Sequence, residues 1–182
     1  DTIKLPAILG SRNITPDLNP DGTPRAGTIM HDKFVVVDRR SVWLGSANFS
    51  ATCMGAEYNA NVAMRVDSPA LAALYSAEFN QMFQDHLFSR YKHARADRST
   101  LTYGDGTQVD VFFSPEDDAL NQGILPFIKA ARHTLDLGMF FLTDQGVADA
   151  LVDAVNRGVR VRVDRKSTRL NSSHIPLSRM PS

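Results

Sequence analysis

Residues 31–48 read HDKFVVVDRRSVWLGSAN, and the rest of the chain is best understood outward from them. His31 and Lys33 are two apart, so on an extended strand both side chains point to one face, with Val35 and Val37 further along it. Phe34 to Val37 is apolar and β-branched, and Asp38-Arg39-Arg40 is polar enough to turn. Val42-Trp43-Leu44 then reads as a returning strand before Gly45-Ser46-Ala47-Asn48. The stretch is a predicted hairpin that presents His, Lys, Ser and Asn from neighbouring strand ends. A His near a Lys on a strand is, taken alone, more often solvated decoration than chemistry. The combined spacing is far more specific: His, any, Lys, any four, Asp, any six, Gly-Ser-any-Asn.

The 182 residues suit a domain of ordinary size, and 43% hydrophobic with 22% charged residues is a globular composition. A formal net charge of zero gives no global attraction to nucleic acid or anionic membrane, although charge can still be concentrated locally. The single cysteine, Cys53, excludes an intrachain disulfide and reads as a buried apolar filler. No His or Cys cluster has metal-ligand spacing, and no run of about 18 apolar residues offers a transmembrane segment. The chain begins with Asp1 and shows no signal segment, so its native start is expected upstream and localisation is not legible.

Ahead of the hairpin, residues 11–27 carry Pro16, Pro20, Gly22, Pro24 and Gly27 and read as a loop, with the first strand starting at Thr28. Tyr58 to Val66 alternates as another strand, and Ser68-Pro69 opens a helix. Leu71, Leu74, Tyr75, Phe79, Met82 and Phe83 form its apolar stripe. Residues 89–108 are polar and basic and read as a linker whose cations, Lys92 and Arg95 among them, are solvated. A βαβαβ rhythm follows: strand 109–113, helix 117–133 stacking Leu120, Ile124, Phe127, Ile128 and Ala131 with a kink at Pro126, strand 135–141, helix 144–156 stacking Val147, Leu151 and Val155, and strand 159–163. Gly158 ends the second helix. Residues 165–182 lack acidic groups and periodicity, and read as a disordered or non-native tail in which His174 has no function.

The spacing from His31 to Asn48 resembles the signature of the phospholipase D superfamily, in the form found in bacterial-type phospholipase D-like domain proteins. That resemblance implies an α/β fold with a mixed sheet flanked by helices, two repeats facing each other so that two motifs make one site. Residues 28–88 resemble the end of one repeat. Residues 109–164 resemble the start of the next, through Phe113-Ser114-Pro115, Leu142-Thr143-Asp144 and Arg157-Gly158-Val159. The implied organisation is an incomplete two-repeat arrangement: 1–88 as the motif-bearing part, 89–108 as linker, 109–164 as the beginning of a second repeat, and 165–182 as tail.

The implied activity is cleavage of a phosphodiester, of phospholipid or nucleic acid, through a phosphohistidine. Attack concentrates negative charge on the phosphoryl oxygens, so donors and cations aimed there lower the barrier, and Lys33 and Asn48 fit that role. His31 would attack phosphorus or protonate the leaving oxygen, and no metal or cofactor is called for. Ser46 would donate a hydrogen bond near the phosphate or support its loop, and Asp38 would anchor the hairpin. Members of the superfamily often have Asn-any-Glu-Asn downstream, the Glu orienting the His. Here Asn59-Ala60-Asn61 stands in that place, leaving Glu57 as a nearby substitute. No second His-any-Lys occurs, because His86, His93, His133 and His174 are followed two positions on by Phe88, Arg95, Leu135 and Pro176. The partners implied are therefore a phosphodiester substrate and a second motif, from a missing repeat or from a homodimer partner. Two other readings stand beside hydrolysis: phosphatidyl transfer to an alcohol, and a non-catalytic fragment that binds phosphate polymers or holds an active partner.

Overall fold

The computed structural model describes residues 18, 19, 21–23, 25–55, 59–96 and 100–165. They fall into two compact units divided between Ala119 and Leu120. The chain is mixed α/β with small sheets and helices, and among the described residues the strands form three separate sheets instead of one mixed sheet. Residues 166–182, the expected tail, lie outside the described residues.

The first unit is built on the predicted hairpin. Strand β1 (Phe34–Val37) pairs antiparallel with β2 (Ser41–Gly45) in the register Phe34↔Leu44 to Val37↔Ser41. The Arg40 amide donates to the Val37 carbonyl at 2.9 Å, and both Asp38 (φ 53°) and Arg39 (φ 52°) are left-handed. That sign pattern matches the right-handed twist of the paired strands. The first strand begins at Phe34, not Thr28, so His31 and Lys33 lie on the chain entering the strand and do not share a strand face.

After a single-turn helix α1 (Ala51–Met54), strand β3 (Ala63–Asp67) pairs antiparallel with β2, starting later than the alternation from Tyr58 suggests. Helix α2 (Pro69–Phe83) opens as expected: the Ser68 hydroxyl accepts from the Leu71 amide at 3.2 Å, and Pro69 supplies a first position that needs no donor. Val42, Leu71 and Ala72 form the buried centre, and Val36, Leu44, Val66, Tyr75, Leu101 and Val111 pack against it. Full burial of a side chain such as Val42 stabilises by about 1.5–3 kcal/mol. One position of the helix departs from the apolar stripe: Glu78 is buried and Phe79 is exposed.

The segment read as a solvated linker accounts for that departure. It holds a 3-10 turn at Ser89–Tyr91 and a short antiparallel pair, β4 (Leu101–Thr102) with β5 (Gln108–Val109). Lys92 is buried, and its ammonium bonds Glu78 at 2.5 Å, Glu116 at 2.9 Å and the Ser114 carbonyl at 3.2 Å. Gln81 clamps the backbone of His93 from both sides, accepting from its amide at 2.7 Å and donating to its carbonyl at 3.2 Å. Arg95 reaches Asp117 at 3.3 Å and also bonds the Val111 carbonyl. These two cations are structural, not solvated. Val109 accordingly joins a local hairpin, and the expected βαβαβ unit loses its first strand.

The second unit keeps the βαβ core of that expectation. Strands β6 (Thr134–Met139) and β7 (Arg160–Arg165) pair in parallel, from Thr134↔Arg160 to Met139↔Arg165. Between them runs α4 (Gln145–Asn156), capped at the start by Asp144, which accepts from the Val147 amide at 2.9 Å. At its end Gly158 (φ 86°) donates to Val155 at 2.9 Å and Val159 donates to Ala154 at 3.0 Å. This pair of bonds is the Schellman closure, which requires a left-handed residue and so selects glycine.

The single helix expected over 117–133 is a π-helical turn (Ala119–Ile124) followed by α3 (Leu125–Ala130). Pro126 sits in the first turn of α3, where its missing donor costs nothing, and so does not act as a mid-helix kink. The wider turn changes which residues face inward: Leu120 and Leu125, five apart, both pack on the core with Ile128, while Ile124 and Phe127 are exposed. On α4, Ala154 is buried and Val155 is exposed.

Candidate functional site

At the end of the β1–β2 hairpin away from its turn, the chain entering β1 lies beside the chain leaving β2. The Gly45 amide donates to the Lys33 carbonyl at 3.2 Å, which joins the His31–Lys33 segment to the Gly45–Asn48 segment. The Lys33 ammonium turns back onto the His31 carbonyl oxygen. His31, Ser46 and Asn48 are exposed and Lys33 is half-buried. The side chains of His31 and Asn48 hydrogen-bond none of the described residues, so imidazole and amide are open to a ligand.

Ser46 is held more firmly. Its amide donates to the Val62 carbonyl at 2.9 Å and the Val62 amide donates to the Ser46 hydroxyl oxygen at 3.1 Å. The hydroxyl lies 2.9 Å from Oδ1 of Asn61. Asn61 in turn donates through Nδ2 to the carbonyls of Cys53, 3.1 Å, and Asn59, 3.2 Å. Glycine is required at position 45, because a Cβ there would collide with the Val62 carbonyl oxygen and press on Ala63. Ser46, Cys53, Asn59, Asn61 and Val62 are thereby joined in one hydrogen-bonded network two residues from Asn48.

Asp38 stands apart from this group. It is the first left-handed residue of the hairpin turn, five residues from Lys33 and separated from it by the whole of β1, about 16 Å at strand rise. Four of the five sequence candidates, His31, Lys33, Ser46 and Asn48, therefore gather at one end, and Asp38 does not.

Cys53 is half-exposed, which corrects its reading as a buried filler. Polar contacts draw it into the loop: Asn59 Nδ2 approaches its sulfur at 3.8 Å, and hydrogen bonding from the Ser50 side chain and then the Asn48 backbone lowers its thiol pKa. Among the described residues no carboxylate bonds the His31 ring, and Glu57, the expected substitute for the orienting carboxylate, lies outside them. No group of three or more acidic, His or Cys side chains suited to a metal ion occurs among the described residues. Nor is any described helix long and apolar enough to cross a membrane. The residue that sequence reading undervalued is Asn61, which figures there only in a departure from a pattern. Its signal was its place one residue before the β3-side strand contact with Ser46.

Residues 7–83 match a family described as "Cardiolipin synthase, PLD-like domain". Over that segment the chain carries a phospholipase D superfamily domain, from a superfamily that covers phosphodiesterase and phosphatidyl transferase activities. Neither a curated protein nor a solved structure matches the chain.

Proposed function

We propose that the end of the hairpin is half of a phosphodiester-cleaving site, completed by a second motif from a further repeat or from another copy of the chain. The observation that carries this reading is the combination of residue spacing and geometry. His31, Lys33, Ser46 and Asn48 have the superfamily spacing, and the bond from Gly45 to Lys33 brings their two segments side by side.

In this reading His31 attacks phosphorus and forms a phosphohistidine while the ester oxygen of the leaving group departs with a proton from the second imidazole. Water, deprotonated by that second imidazole, then attacks the phosphohistidine and restores His31. Lys33 and Asn48 face the phosphoryl oxygens, where negative charge builds in each displacement. Asp38 fixes the turn and through it the register of the hairpin. The test is hydrolysis of a phospholipid and of DNA by the chain and by a His31→Asn variant. Loss of activity with either substrate supports the assignment, and unchanged activity in the variant overturns it.

Transfer to an alcohol is the second reading, favoured by the description of the matching family as a cardiolipin synthase domain. It differs only in the second displacement, where an alcohol oxygen takes the place of water. Adding glycerol to the lipid assay separates the two: a phosphatidylglycerol product marks transfer, and phosphatidic acid alone marks hydrolysis.

A further inference from the structure

The hydrogen bonds around Asn61 can be followed donor by donor, and they leave no freedom in how the protons are arranged. The carbonyl oxygens of Cys53 and Asn59 only accept, so the amide side that faces them is the NH2 group, and Oδ1 is the atom turned toward Ser46. An amide oxygen also only accepts. The partner at 2.9 Å, the Ser46 hydroxyl, is therefore the donor in that contact. The Val62 amide only donates, so it takes a lone pair of the same hydroxyl at 3.1 Å. A serine hydroxyl has one proton, and here that proton is spent on Asn61.

We infer that Asn61 is a positioning residue: it takes the only hydroxyl proton of Ser46, so Ser46 holds the loop that carries Asn48 and does not itself donate to the phosphate. This rests on the reading of the hairpin end as a phosphodiester site and decides between the two roles that the sequence leaves to Ser46. The donors left for the phosphoryl oxygens are the Lys33 ammonium and the Asn48 amide. Asn61 acts on them at a distance. It ties Ser46 to the backbone of Cys53 and Asn59, and the Asn48 carbonyl is itself bonded by the Ser50 amide at 2.8 Å, so the loop that carries Asn48 is braced on both sides. Preorganised donors of this kind lower a barrier without having to reorganise as charge develops.

The arrangement is tested by a double-mutant cycle of Ser46→Ala and Asn61→Ala on the whole chain, with two readouts. Amide hydrogen exchange at Val62 needs no ligand. Either substitution is expected to speed it about tenfold, since each removes or frees the hydroxyl that accepts from Val62. Hydrolysis of bis(p-nitrophenyl) phosphate is the second. Either substitution is expected to lower kcat about tenfold with KM little changed, and the double variant should be no worse than the worse single. Ser46→Thr, which keeps a hydroxyl, should restore most of both. Two results overturn the inference: losses in kcat that multiply in the double variant, or a Ser46→Ala defect in KM and in inorganic phosphate binding that Asn61→Ala does not share. Should the wild-type chain hydrolyse no diester, completion of the site by another copy of the chain falls, and the exchange cycle at Val62 still decides whether Asn61 holds Ser46.

Discussion

Two groups of polar side chains in the first unit are built in opposite ways. At the end of the hairpin, His31 and Asn48 are exposed, with side chains that bond none of the described residues, and among those residues Lys33 bonds only a neighbouring carbonyl. Beside α2, Glu78, Lys92 and Glu116 are at most 3% exposed at the side chain, and the Lys92 ammonium hydrogen-bonds Glu78 and the Ser114 carbonyl and pairs with Glu116. A buried charge has lost its hydration and must be met by fixed partners, whereas an exposed one can wait for a ligand to supply them. Pairing thus separates charges that hold the fold from polar groups left open at the surface, although both look alike as letters.

The contrast is sharpest for Lys92→Met, which strands two buried carboxylates without a cation. We expect the first unit to lose about 3–5 kcal/mol in urea unfolding, and a loss under about 1 kcal/mol would break the comparison. Gly45→Ala comes next. The new methyl group meets the Val62 carbonyl oxygen, so about 1–3 kcal/mol of stability should go, together with the protection of the Ser46 amide in hydrogen exchange.

The third test is one of pH. Burial pushes the Glu78 carboxyl up to about 7 from 4.5, against the opposing pull of Lys92. In the unfolded chain it ionises near its ordinary value, so between the two values the folded state holds more protons and stability falls as pH rises. The raised pKa of Lys92, where hydrogen bonds to Glu78 and Glu116 outweigh burial, adds stability that is lost only at much more alkaline pH. Glu78→Gln should flatten the melting-temperature slope between pH 5 and 7 by about 5 °C, and an undiminished slope would assign it to another group. Smallest of all on stability is His31→Ala, expected to stay within about 0.5 kcal/mol of wild type while removing diester hydrolysis. A large destabilisation there would place His31 with the groups that hold the fold.

What could be read in advance was local. The hairpin, the Ser68 cap, the Pro69 entry and the Gly158 closure each depend on a few adjacent residues, and each stands where sequence placed it. Lys92 and Arg95 are illegible in sequence because a charge run has no periodicity that points to a partner, and their partners lie across the fold in α2 and the 111–117 segment. Phe127 and Val155 depart from their helical stripes for a different reason. One π-helical turn shifts the phase of everything after it, and a small Ala154 fits the core where a larger neighbour fits the letters. In the candidate site, spacing singles out His31, Lys33, Ser46 and Asn48, and the fold brings their two segments side by side. The contact of Asn61 with Ser46 is not legible in sequence, because it forms only when a residue 15 positions away returns beside Ser46.

The hairpin turn has a consequence in time as well as in space. Asp38 and Arg39 close β1 on β2 with almost no loop entropy, so this pair belongs among the events that take microseconds, while the Glu78–Lys92–Glu116 cluster must wait for distant segments to meet. The candidate site would then be assembled around an early hairpin and sealed into the domain afterwards. Kinetic φ-values near one at Val36 and near zero at Lys92 would bear this order out, and the reverse would refute it.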